Sequence, residues 1–318
     1  MVSRIGAVIA ALAVTAVNLV SSQHVQADQT PLLPDLRQAP VGCPGGFSGN
    51  PLTCRDWDVC VVRDSSQTRG GCVHSGGPIS SVRLRFTTSI DNIGDGPLLL
   101  HARRSGQGEA TMKVRQAVQS SVDGSIPRSF DTAQRDTPAG AYYEPAETHE
   151  HWHLLGFEYF QLRKPDGETV VTDRKNGFCL GDRYTLDDEL DHRPGDPASP
   201  AGLLAKRLDG HMCEHHNPAA LDVMFGISVG SGDDYRHEVD FQWLDLTHVR
   251  SGVYDVVNIV NSDRMLLEKN YDNNASSIAI HLQWPRGAVE PPSPIEAPPA
   301  VRLIRSCPGK AQCAESLG

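Results

Sequence analysis

The sequence predicts an all-β fold: a sandwich or barrel-like core of short strands with long loops, stapled by disulfides. Three observations carry this. Apolar and polar residues alternate over several short runs, the mark of half-buried strands. Clusters of Gly, Pro, Asn and Asp separate those runs. Helical periodicity is weak and confined to a short stretch, Ala201 to Arg207. With 318 residues, 39% of them hydrophobic, the chain can bury one substantial core.

In chain order, residues 28–75 are rich in Gly, Pro and Cys and read as a loop-dominated lead-in. Alternation then begins. Val82, Leu84, Phe86 and Ile90 face one way, and Arg83, Arg85, Thr87 and Ser89 the other, as in one half-buried strand. The segment Asn92–Pro97 turns the chain into a second apolar stretch, Leu98–Leu100. Met112, Val114 and Val118 alternate, and His149 to Leu162 is strand-like. Val253–Val260 and Ile278–Trp284 read the same way. No internal repeat is visible. The six prolines within residues 285–300 predict an extended, polyproline-like tail, which makes 286–318 a separate C-terminal segment ending in a small loop between Cys307 and Cys313.

The N-terminus reads as a processing signal. Arg4 precedes an apolar run, Ile5 to Val20, and Val25-Gln26-Ala27 supplies small residues for a peptidase cut. A signal peptide over 1–27 predicts a secreted chain with no membrane attachment after cleavage; an uncleaved anchor is the alternative. The eight cysteines all follow the cut, and an even number in an oxidising compartment predicts disulfides. Spacing leaves the pairing open. Local pairs among Cys43, Cys54, Cys60 and Cys72, together with Cys179–Cys213 and Cys307–Cys313, are candidates. No CxxC pair occurs, which argues against a zinc–thiolate site. The net charge is -10 without an extended basic run, so nucleic acid is not expected as a partner and cationic substrates are favoured.

The strongest motif is His149-Glu150-His151-Trp152-His153. In a strand, alternate side chains share a face, so three imidazoles would project together while Glu150 and Trp152 point away. The outer Cα atoms would lie roughly 13 Å apart on strand rise alone, so a twist or bulge must draw the nitrogens onto one ion. Imidazole suits copper, zinc, iron and nickel, and three protein ligands leave positions open for water, oxygen or substrate. Histidine alone does not separate copper from zinc, and a structural or hydrolytic zinc site stays open at this point.

From this triplet outward the sequence resembles the lysyl oxidase family, which carries a His-x-His-x-His copper strand. Val82–Phe86 followed by Asn92–Gly96 resembles the strand and turn before it. Lys175–Asp182, reading KNGFCLGD, resembles the segment around the family's cofactor lysine. Tyr235 with Asp240–Thr247 resembles the segment around the cofactor tyrosine. Gly252–Tyr254 and Glu268–Asn274 match the closing strands. The likeness runs from about Pro34 to Trp284, and 76–285 would form the catalytic domain. It implies copper on His149, His151 and His153, and a lysine tyrosylquinone made from Lys175 and Tyr235. Such a cofactor condenses with a primary amine and takes up electrons as the α-proton leaves. Molecular oxygen reoxidises it, giving aldehyde, hydrogen peroxide and ammonia. The implied substrate is a primary amine, in peptidyl lysine or a related compound. A general base is required, with Asp234, His237, Glu238 and Asp240 as candidates.

The chain departs from the family in places. A family cysteine is replaced by Phe241 and another, shortly before the tyrosine, is missing, so one family disulfide is lost and Cys213 becomes the expected partner of Cys179. Asp187 to Leu203 reads as a surface insertion able to shape substrate access. Glu268, Asn270, Asn273 and Asn274 gather oxygens of the kind calcium takes, and the resemblance adds Asp35 and Leu36 to that set. A polar turn with Asx hydrogen bonds is the equal alternative. For the whole chain, the alternatives to a copper amine oxidase are a non-enzymatic copper-binding exported protein and a zinc hydrolase using the same three histidines.

Overall fold

The computed structural model describes residues 30–63, 72, 78–122, 124–174 and 177–314. The expected signal peptide, 1–27, lies outside these residues, and so does Lys175.

The described residues fold as antiparallel sheets, with one nine-residue helix, Pro200–Leu208, on the outside. A five-stranded sheet has the order Asp222–Ile227, Leu98–Arg103, Thr111–Gln116, Arg135–Glu144, His151–Leu154. A second runs Thr169–Arg174, Glu158–Arg163, Gly252–Val260, Ala275–Gln283, Ala300–Cys307. A four-stranded sheet, Leu36–Gln38, Thr88–Asn92, Ser231–Tyr235, Tyr184–Thr185, carries Tyr235 at a strand end. Trp57–Val62, Ser81–Phe86 and Trp243–Asp245 form a smaller sheet.

Two large apolar clusters dominate the interior. One gathers Leu98, Leu100, Trp152, Leu154, Phe157, Phe178 and Phe225 behind the histidine strand. The other packs Val82, Leu84 and Phe86 against Phe160, Ile278, Ile280 and Trp284. Each alternating run therefore has a core to face, and the fold class is all-β as expected.

Two expected strands are each two strands. The run from Val82 to Ile90 breaks at Thr87, whose N–H and hydroxyl both bond Asp56, at 3.0 and 2.5 Å. The chain there leaves one sheet for another, so Val82, Leu84 and Phe86 enter one core and Ile90 the other. Thr88–Asn92 is buried on both faces, where period-two alternation carries no signal. Likewise His149–Leu162 breaks at a turn around Gly156, whose φ is 68°. His151–Leu154 and Glu158–Arg163 then join different sheets. Val118 lies past the end of its strand, Thr111–Gln116.

The helix matches expectation and is capped as its sequence requires. The Ser199 hydroxyl accepts the Gly202 N–H at 3.0 Å, and Pro200 stands at the first turn, where a missing N–H costs nothing. The proline-rich segment returns to the body of the protein. Ala300–Cys307 pairs with Ala275–Gln283, and Val301 and Leu303 pack on the second core.

All eight cysteines are paired: Cys43–Cys54, Cys60–Cys72, Cys179–Cys213 and Cys307–Cys313. Among the described residues, no helix is long and apolar enough to cross a membrane.

Candidate metal centre and paired tyrosine

The three histidines do not share one strand. The strand begins at His151, and His149 comes from the preceding turn. There the N–H groups of His149 and Glu150 both donate to Ala146 O, at 2.8 and 3.0 Å. Glu150 takes a left-handed φ of 46°. That turn removes the reach problem of an extended triplet. It folds His149 back over His151 and His153, with ring centroids 5.5 and 4.7 Å away. The Nε2 atoms of His151 and His153 lie 2.9 Å apart. All three rings are buried, and one ring nitrogen from each lies within 4.8 Å of the others. Neutral imidazoles at this spacing fit a first-row transition ion, with metal–nitrogen bonds of about 2 Å after small rotations.

The opposite face of the strand anchors it. Trp152 is fully buried, donates its indole N–H to Asn217 O at 3.0 Å, and lies under the Arg104 guanidinium. Glu150, in the turn before the strand, is half-buried, with its carboxylate beside His216.

Tyr235 stands beside the triplet. Its ring lies nearly parallel to that of His149, at 6.0 Å between centroids and 23° between planes. Phe178 meets it edge-on at 4.7 Å. The phenol oxygen accepts the Cys179 N–H at 2.7 Å. Burial, with the nearby Asp233 carboxylate, raises the phenol well above its ordinary value, so it is held protonated. Asp233 is itself raised by complete burial, against the opposing pull of Arg183.

Of the four candidate bases, the fold brings Asp240 to the triplet. Its carbonyl oxygen lies 3.1 Å from His149 Nε2. Its carboxylate accepts from the Thr148 hydroxyl, and its N–H donates back to that hydroxyl, both at 3.0 Å. His237 pairs with Asp56 and Glu238, and Asp234 accepts from Gly45 N–H.

Three contributors to the site gave no separate signal in the sequence. Phe241 stacks nearly parallel to His149, at 6.2 Å and 18°, from a left-handed φ of 64°. Thr148 clamps Asp240. Gly177 packs against His153: a Cβ there would sit 2.6 Å from the His153 Cβ, and its φ of 143° suits only glycine. A conformational requirement of this kind is invisible in an unaligned sequence, although Gly177 stands two positions after Lys175 in the KNGFC motif.

The lysyl oxidase family model matches residues 209–289, a span that contains Tyr235. Over that span the chain is similar to the lysyl oxidase family. Lysyl oxidase homolog 3 of Homo sapiens is 29% identical over 130 residues, which is 41% of this chain and 14% of that protein. Lysyl oxidase homolog 4 of Homo sapiens is 29% identical over 129 residues, and lysyl oxidase homolog 2B of Danio rerio 30% over the same length. The matched segments span about 14% of these relatives' lengths. The matched span does not include the histidine turn and strand, so the geometry of that part rests on the fold alone.

The second oxygen cluster is also assembled. Glu268 accepts from Leu36 N–H at 2.9 Å, from the Asn274 amide at 2.8 Å and from the Asn261 amide. Asp35 accepts from the Asn273 amide at 2.7 Å. Burial, with a contribution from Asp35, pushes Glu268 up to about 7 despite those donors. The side-chain amide oxygens of Asn273 and Asn274 are buried and have no hydrogen-bond partner among the described residues. Asn270 instead caps its own turn, accepting from Asp272 N–H at 3.0 Å.

Proposed function

We propose that this protein is a secreted, copper-dependent amine oxidase that converts primary amines, peptidyl lysine or related compounds, to aldehydes. Copper would be held by His149, His151 and His153, and the organic cofactor would be a lysine tyrosylquinone formed from Lys175 and Tyr235. One observation carries this reading. A buried three-imidazole site has a tyrosine ring stacked against one of its members at 6.0 Å. When formed, the quinone supplies a carbonyl that captures the amine and an electron sink, with molecular oxygen as final acceptor and peroxide and ammonia released.

The residues of this chain provide position and exclusion. Trp152 and Phe178 close the apolar side of the site, and the Thr148–Asp240 pair fixes the turn that presents His149. Tyr235 is pinned by Cys179 N–H, which sets the position of its ring. The net charge of -10 favours approach of cationic amines. Secretion rests on the 1–27 signal and on four disulfides, which persist in oxidising compartments.

A hydrolytic zinc site would leave the tyrosine stacked beside the triplet without a role. The closeness of Tyr235 to His149 favours redox chemistry at the tyrosine.

The deciding experiment is peptide mass spectrometry on copper-loaded, oxygen-exposed protein, with a visible spectrum alongside. The expected result is one covalent species containing the Lys175 and Tyr235 peptides, and peroxide released with a primary amine. Lys175→Arg and Tyr235→Phe should lose the species yet keep copper, because guanidinium stays protonated and phenylalanine has no phenol. Separate, unmodified peptides and no peroxide would leave a copper-binding protein without oxidase chemistry.

A further inference from the structure

The segment after Cys213 runs beside the histidine strand. Trp152 N–H donates to Cys213 O at 3.0 Å, and His216 N–H donates to Glu150 O at 2.8 Å. These two bonds bring His215 and His216 against Glu150, on the rim of the buried triplet. The two rings lie 3.6 Å apart, and the His215 ring lies 6.2 Å from that of His151. His216 Nδ1 is 3.4 Å from a Glu150 carboxylate oxygen. One ligand atom from each of Glu150, His215 and His216 lies within 4.8 Å of the other two.

A pairing of His216 with Glu150 at the surface would contribute little to stability, and it leaves the second imidazole unexplained. Two imidazoles and a carboxylate converging on one point are instead a donor set for copper or zinc. The three buried nitrogens of the triplet have little access to solvent, while His215 and His216 are exposed. Glu150 belongs to both arrangements: its backbone forms the turn of the triplet, and its carboxylate faces the exposed pair.

We propose that Glu150, His215 and His216 form a second, solvent-facing site for a divalent transition ion, which captures the ion and passes it to the buried triplet. The capture site stands on its own geometry; the transfer rests on the reading of the triplet as the copper centre.

The test is equilibrium dialysis and stopped-flow loading of the full, untagged chain with Cu2+ alone. Wild type, His151→Ala, the double variant His215→Ala/His216→Ala, and Glu150→Gln are compared, with thermal melts as a folding control. Wild type should hold two ions and each alanine variant one. The double variant should load its remaining ion more slowly than wild type loads the triplet. Glu150→Gln should keep the fold and weaken the exposed ion, because it removes one of three ligands. A double variant with wild-type stoichiometry and loading rate, or Glu150→Gln with unchanged affinity, overturns the proposal and leaves the triplet reading intact. If His151→Ala still binds one ion while the double variant binds none, the exposed site stands and the buried copper centre falls.

Discussion

The phenol of Tyr235 accepts the backbone N–H of Cys179 at 2.7 Å, and Cys179 is disulfide-bonded to Cys213. Cys213 in turn offers its carbonyl to Trp152 N–H, inside the histidine motif. The disulfide therefore joins the segment that holds the tyrosine to the segment that holds the histidine strand.

Replacing both Cys179 and Cys213 with Ala should cost about 2–5 kcal/mol, the usual range for a native bridge. Urea titration would measure it. Because Cys213 O is a partner of Trp152, copper affinity should fall as well. Removing Cys307–Cys313, which ties the end of the strand Ala300–Cys307 to the segment after it, should lower stability and leave copper affinity unchanged. Equal effects of the two deletions on copper would contradict the coupling described.

Tyr235→Phe removes the acceptor for a buried N–H. An unsatisfied buried donor costs about 1–3 kcal/mol, so the melting temperature should drop measurably. Metal content should stay at the wild-type level, since the ring face against His149 is retained. A variant as stable as wild type would mean that the Cys179 bond carries no weight.

Gly177→Ala tests the approach to His153. The added Cβ meets the His153 Cβ at 2.6 Å, at a φ where strain alone costs on the order of 1–3 kcal/mol. Copper bound per chain should fall. Gly45→Ala, at a φ of 68° with open space around it, should bear backbone strain without changing copper content. Copper analysis of the two purified variants separates them.

The Glu268 cluster is proposed to hold calcium. Its carboxylate is pushed up to about 7 by burial, and two amide oxygens nearby have no hydrogen-bond partner among the described residues. A cation would stabilise the carboxylate and draw those oxygens inward. Calcium at about 100 times its dissociation constant should stabilise the fold by roughly 2.7 kcal/mol, and chelation should remove that gain. Glu268→Gln should melt at the same temperature with calcium or with chelator. A calcium-independent melt of the wild type would leave the cluster as a hydrogen-bonded turn.

Much of this arrangement was readable in the residues, because strands with one wet face write their pattern in alternation. Val82, Leu84 and Phe86, and Ile278, Ile280 and Leu282, entered the core they pointed to. Thr88–Asn92 was misjudged because both its faces are dry. The histidine motif signalled three imidazoles in one place but not their geometry: a strand-period reading placed His149 in line, and the left-handed Glu150 turned it back. Ala300–Cys307 was hidden because prolines before it set the expectation for the whole segment. Gly177, Phe241 and His215 depend on neighbours distant in sequence, and no local pattern carries that.

The returning strand Ala300–Cys307 has a practical consequence for anyone shortening this protein. It covers the hydrogen-bonding edge of Ala275–Gln283 along nearly the whole length of that strand. Ending the chain at Trp284 would bare one edge of Ser277–Gln283, seven residues that include Ile278, Ile280 and Leu282. A bare edge of that length is a template for another copy. Shortened protein should accumulate as aggregates that resist refolding, while the full chain stays dispersed.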